Sequence, residues 1–334
     1  MIVKHIPEDF VVEEITNVKK SKGRYCYFWL EKRNMTTQDA VDRISQVMHK
    51  RIGFAGNKDK KAVTKQLCSA EIIRESIERV KVRNITLTFY GFGDVPISLG
   101  DLKGNRFRIV VRDVQDTKIR KVKTMVNYFD EQRFSQNNVE VGQAIVRKNF
   151  RKAAELIASG EGDYNKKVFD FFLRNKTNAV GALRLVPLKI LRMMVHAYQS
   201  KLWNDTVEQL IEKTGKFRRI SYSLGQLAFP ETKIKNREIP IIGFDTVVKD
   251  KDVREIIDEV MRRENMTFRD FIIREIPELT SEGIMREMIV PVKKFTSTVA
   301  NDEFFVGGKK VILSFELPKG SYATMVVKQM FFIE

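Results

Sequence analysis

Cysteine is scarce in this 334-residue chain, and the two present, Cys26 and Cys68, are too few for a disulfide framework. Their settings, Tyr25-Cys26-Tyr27 and Leu67-Cys68-Ser69, read as ordinary strand packing. Histidine is nearly as rare. His5, His49 and His196 lie far apart with no partner at metal-ligand spacing, which argues against a zinc site. No apolar run resembles a membrane span or a signal peptide, so the chain reads as cytoplasmic. No Gly-x-x-x-x-Gly-Lys-Ser/Thr phosphate loop occurs, and no repeat or low-complexity segment.

Acidic residues are also short of the basic ones. Sixty Lys and Arg stand against 43 Asp and Glu, a formal charge of +17 with a pI near 9.7. Such an excess points to a polyanionic partner, the alternative being a merely soluble basic protein. The charge is not one tail: residues 146–286 hold 27 Lys and Arg against 20 Asp and Glu, and the rest of the chain carries the larger share of the surplus. A ligand gripped by both parts explains that spread better than a basic arm on a neutral body.

The length suits about two domains. Residues 24–32 are aromatic-rich and follow Gly23, which predicts a strand. Thr36-x-x-Asp39 resembles a capping box, followed by Val41, Ile44, Val47 and Met48 at helical spacing. Ile52–Ala55, Ile85–Phe92 and Phe107–Arg112 read as strands. Ile119–Phe129 reads as a helix with Val122, Met125, Val126 and Phe129 on one face. Residues 140–158 read as one basic amphipathic helix. Pro187 opens a helix from Leu188 to about Lys213, closed by Gly215. Residues 252–264 make another, with Val253, Ile256, Ile257, Val260 and Met261 as its apolar stripe. Strand signal returns at Met288–Phe295 and Lys310–Leu317. Strands, a mainly helical block and strands again suggest a core interrupted by an insertion at 146–286, leaving 1–145 and 287–334 as one discontinuous domain.

The stretch richest in chemistry is Gly56-Asn57-Lys58-Asp59-Lys60-Lys61-Ala62-Val63-Thr64-Lys65-Gln66, which follows the apolar Ile52-Gly53-Phe54-Ala55. It reads as a short buried strand emptying into a polar loop in which one carboxylate sits among lysines. A carboxylate placed so can act as nucleophile or base, and its neighbours can hold phosphates. A lysine-rich surface turn is the alternative. A GTPase-type Asn-Lys-x-Asp fails on spacing, because Asp59 follows Lys58 directly.

The run resembles the Gly-x-Lys-Asp-x-x-Ala-x-Thr-x-Gln signature of the TruD family of tRNA pseudouridine synthases, met at Gly56, Lys58, Asp59, Ala62, Thr64 and Gln66. Other segments resemble that family in the same order. They are Lys4 to Glu14 around Pro7-Glu8-Asp9-Phe10, Gly104-Asn105-Arg106-Phe107, Asn127 to Phe134 with Asp130 in place of a glycine, Ala197 to Asn204, and Leu317 to Met325. The resemblance spans residues 4–325.

It implies an α+β protein: a pseudouridine-synthase catalytic domain with a mixed β-sheet, interrupted by an inserted α/β TRUD domain across a cleft. It also implies an isomerase that detaches a tRNA uracil from C1′, turns it and rejoins it through C5, at position 13, without cofactor or metal. By the same resemblance Asp59 is the catalytic residue, as nucleophile at the sugar or as base at C2′. Lys4 is its basic partner, unless Lys58 supplies that charge and Lys4 is an exposed strand-edge residue. Phe107 stacks on the target base, or turns inward as a core residue. Lys58, Lys60, Lys61, Asn105 and Arg133 are the RNA- or base-binding candidates, Arg133 equally open to a structural pairing. Asp130 puts the backbone of its element in question, and Ser321 is a candidate N-cap. The partner is tRNA, with no membrane or nucleotide cofactor, and the chain is expected to be a monomer. The rivals are a synthase acting on other RNA uridines and a basic RNA-binding module without catalysis.

Overall fold

The computed structural model describes residues 1–115, 119, 121–135 and 137–331. The chain divides into two compact units, Met1–Met125 with Val290–Ala323, and Val126–Ile289 with Thr324–Glu334. The first division thus falls about twenty residues before 146, and the last helix, Ala323–Phe331, goes almost wholly to the second unit. Side-chain bonding explains both differences. Phe129 exchanges two backbone hydrogen bonds with the Asn204 carboxamide, and Asp130 is held by Thr324 and, at 3.5 Å, by Lys328.

The first unit is built on a nine-stranded sheet. Its main path runs Lys293–Asn301, Lys309–Pro318, Gly104–Val114, Phe10–Ile15, Val63–Ala70, Tyr25–Arg33, Ile85–Gly93. Ile2–Val3 adds to Gly104–Val114, and Gly53–Phe54 to Val63–Ala70. Among the described residues only Phe10–Ile15 and Val63–Ala70 pair in parallel, so the sheet is mixed, in an α+β fold. Cys26, Tyr27 and Phe28 are buried in succession, because both sheet faces are covered there. On one face lies the helix Thr37–Met48, which packs Ala40, Val41 and Ile44 against Cys26, Phe28, Leu30, Cys68 and Ala70. Thr36 Oγ1 accepts from the Asp39 N–H at 3.0 Å, and the helix ends where His49 turns left-handed at φ 51°.

The helix expected over Ile119–Phe129 is not formed, although Arg120 lies outside the described residues. Thr124–Val126 is a strand, and the Asn127 N–H donates to Met288 O. Met125 to Asp130 are all buried, so the segment is enclosed on every side and the one-sided spacing of its apolar residues misleads.

In the second unit the basic segment over 140–158 is two helices, Asn138–Val146 and Phe150–Ala158. The break falls at Lys148, with φ 61°, and Asn149 caps the second helix by accepting from the Lys152 N–H. The central helix, Leu188–Glu212, follows Pro187, and Gly215 at φ 101° ends the turn after it. Gly142 lets Asn138–Val146 approach this helix closely, since a Cβ there would stand 2.1 Å from Met194 O. Lys251–Arg263 buries the expected stripe of Val253, Ile256, Ile257, Val260 and Met261.

Asp130 has φ −90° and ψ 165°, extended backbone that needs no glycine. Ser321 Oγ is buried without a hydrogen-bond partner, so it caps nothing.

Candidate active site

The loop between Gly53–Phe54 and Val63–Ala70 is held by two side chains and by a backbone bond. Thr37 Oγ1 accepts from the Lys58 N–H at 2.9 Å and donates to Gln66 Oε1 at 3.0 Å. Gln66 Nε2 donates in turn to Gly56 O at 3.1 Å. The Asn34 N–H donates to Ala62 O, and Ala62 is fully buried. Gln66 closes the loop on the sheet through its side chain, while Gly56 and Ala62 take part through their backbone carbonyls.

Asp59 stands at the turn of this loop. Its Oδ2 receives Lys4 Nζ at 2.9 Å, with Lys4 22% and Asp59 24% exposed, so the carboxylate is oriented yet reachable. The Lys4 ammonium also lies 4.0 Å from the centre of the Phe10 ring, which gives it an apolar, electron-rich backing. Lys58 points elsewhere. Its Nζ meets Glu14 Oε2 at 2.9 Å, with the lysine side chain 5% exposed and the glutamate fully buried. It is thus neither the partner of Asp59 nor a free cation for phosphate. Lys60 and Lys61 are exposed beside Asp59.

Strand register places the remaining candidates. Lys32, Thr64, Val12, Phe107 and Phe315 form one row across the sheet, on a single face. Phe107 is only 5% exposed. Its ring lies 6.2 Å edge-on from Phe10 and 5.6 Å from Phe315, so protein contacts already occupy most of it. Asn105 shares that face two residues on, and its Oδ1 is buried without a hydrogen-bond partner. Arg133 belongs to the second unit, where Nε donates to Ser200 Oγ at 3.3 Å and the guanidinium lies 5.9 Å from the Phe129 ring centre. Within Tyr198–Asn204 three polar groups hold backbone outside the helix: Gln199 donates to Ile242 O, Trp203 to Ile239 O, and Asn204 clasps Phe129, while Tyr198 donates to Glu264 Oε2 and Lys201 to Asp205 Oδ2.

Sequence reasoning missed Glu14, Thr37 and Lys32. Lys32 Nζ donates to Met35 O at 2.6 Å and to Asp59 O at 3.0 Å from a side chain that is almost wholly buried. Burial pushes this ammonium down from 10.5 to about 8. The nearby Asp59 charge opposes that fall and Lys58 adds to it. The available signal was alternation: Cys26, Phe28 and Leu30 face inward, and Lys32 is next in that series. A concavity of about 700 Å³, lined by residues between Arg74 and Phe89, includes none of these groups.

The family model described as tRNA pseudouridine synthase D (TruD) matches residues 1–166 and 158–330. The chain is 33% identical to the tRNA pseudouridine synthase D of Aquifex aeolicus, an alignment covering 98% of this chain and 97% of that protein. It is 31% identical to the Methanosarcina acetivorans protein that bears the same name with the prefix Probable, over 96% and 90%. A solved structure described as a tRNA pseudouridine synthase D from Methanosarcina mazei superposes with a TM-score of 0.73 at 26% identity, covering 99% of this chain and 93% of that one. Matched along nearly its whole length in both sequence and fold, the chain belongs to the TruD family of tRNA pseudouridine synthases.

Proposed function

We propose that the chain isomerises a uridine of tRNA to pseudouridine, at position 13, with Asp59 as the catalytic carboxylate and without a cofactor. The observation that carries this reading is the Lys4–Asp59 pair, a solvent-reachable carboxylate oriented by one cation on a loop whose backbone is tied down. Uridine and product are isomers, so the reaction has no net redox change. What it requires is a carboxylate aimed at the sugar. Lys4 engages Oδ2, and in this reading Oδ1 is the oxygen that meets the sugar, whether it attacks C1′ or takes the C2′ proton.

Lys60 and Lys61 are the phosphate contacts of this loop, by their exposure and position. Asn105 Oδ1, buried and unpartnered, suits an N–H of the uracil edge. A stacking role for Phe107 requires its ring to leave Phe10 or Phe315 when RNA binds. Arg133 serves a phosphate only by giving up Ser200. We assign the catalytic chemistry to the unit Met1–Met125 with Val290–Ala323 and RNA selection to the other, which contains the expected TRUD insertion at 146–286, in a cytoplasmic monomer. Among the described residues no helix is long and apolar enough to cross a membrane.

Incubating the protein with a tRNA transcript, then mapping pseudouridine by carbodiimide tagging and mass spectrometry, tests the proposal. A single tagged site at position 13 is expected. A tag elsewhere would move the target, and its absence would remove the activity.

A further inference from the structure

Lys32 is among the most deeply buried charged side chains described, 1% exposed, and it makes no ion pair among the described residues. A buried ammonium is costly unless polar groups surround it. Here both acceptors are backbone carbonyls, Met35 O at the turn into the helix Thr37–Met48 and Asp59 O in the loop. An apolar side chain would continue the inward row of Cys26, Phe28 and Leu30 without that cost. The lysine instead donates from one ammonium to both the helix turn and the Asp59 peptide.

We propose that Lys32 is a positioning residue for the reaction proposed above, whose ammonium fixes the Asp59 backbone so that the carboxylate meets the sugar, without itself touching RNA. The inference rests on Asp59 being the catalytic carboxylate. The other loop ties, from Thr37, Gln66 and Asn34, hold Lys58, Gly56 and Ala62, so none of them substitutes at Asp59 O. The charged groups facing Lys32 are Asp59 and Lys58 on the loop and Asp39 on the helix. Behind them, Lys4 pairs with Asp59 and Glu14 with Lys58. With its pKa pushed down to about 8 by burial, Lys32 turns from a charged donor into a weaker neutral one within a testable range.

The test measures single-turnover pseudouridine formation and tRNA affinity for the native protein, Lys32→Met and Lys32→Arg, between about pH 6.5 and 9.5. Lys32→Met should slow the reaction about 10²-fold, the scale of an ångström-sized misplacement, and leave tRNA affinity unchanged. The native rate should fall above about pH 8, and this fall should be missing from both variants. A native-like rate in Lys32→Met, a matching loss of affinity, or a native rate flat to the top of the range would each overturn the proposal. Should Lys32→Met not fold, the native profile and Lys32→Arg decide. An active Asp59→Asn protein would sink the parent reading. An inactive one beside a fully active Lys32→Met protein would sink this inference alone.

Discussion

Lys4 Nζ and Asp59 Oδ2 meet at 2.9 Å although 55 residues separate them in the chain. Ile2–Val3 pairs with the far end of Gly104–Val114, and Lys4 then turns at φ 60°, in the left-handed region. A pair this open to water contributes ~1 kcal/mol or less to stability. The strained turn therefore serves the placement of a cation on a carboxylate more than it serves the fold.

Asp59→Asn keeps the shape of the side chain and removes its charge and its nucleophilic oxygen. Pseudouridine formation should drop at least ~10³-fold, about 4 kcal/mol of barrier. tRNA binding should survive or tighten, because a charge that repels phosphate is gone. Counting pseudouridine by mass spectrometry alongside a binding titration checks both parts.

Glu14 and Lys58 should behave in the opposite way. Lys58→Met leaves a fully buried carboxylate without its cation, a change that costs ~3–5 kcal/mol in other proteins. Replacing both, as Glu14→Gln with Lys58→Met, should recover much of the loss. Thermal melts of the three proteins test this, and equal melting temperatures for single and double variants would contradict it.

Phe107→Ala removes a ring packed on Phe10 and Phe315 and should destabilise by ~3–5 kcal/mol. If the ring also stacks on the base, the variant that remains folded should be slow as well, and Phe107→Tyr should retain much of the rate. Normal single-turnover chemistry in folded Phe107→Ala protein would leave the ring a packing role alone.

Lys32 links stability to pH with a definite sign. Below about pH 8 folded and unfolded chains both keep its proton. Between about 8 and 10.5 the folded chain releases it first, the unfolded chain binds more protons, and stability rises with pH. The gain is up to ~3 kcal/mol across that window. The melting temperature of the native protein should therefore improve relative to Lys32→Met from about pH 7 to 9.5, while the native reaction rate falls.

The surplus of +17 should appear as a steep salt dependence of RNA binding. Neutralising about six phosphates gives a slope of ~−4 to −5 in log K against log salt. A flat dependence would leave the charge without an RNA role.

Much of this protein was legible in local pattern. The aromatic strand at Tyr25–Arg33, the helix after Thr36 and the stripe of Lys251–Arg263 follow from periodicity and capping, which depend on near neighbours. The run around Asp59 and the ordered motifs pointed to the family because their spacing is written in the chain itself. Where burial came from several sides, pattern misled: Val122 to Phe129 mimicked one helical face, and Arg147–Asn149 broke a helix that looked continuous. Tertiary structure alone decided which lysine serves which carboxylate. The sequence left Lys4 and Lys58 as alternatives beside Asp59 and gave Lys32 no role, since each carries one mobile charge. The folded sheet and its loops send Lys58 to buried Glu14, Lys32 under the Asp59 peptide and Lys4 onto its carboxylate, because a buried charge must be matched within a few ångströms and only the tertiary structure sets those distances.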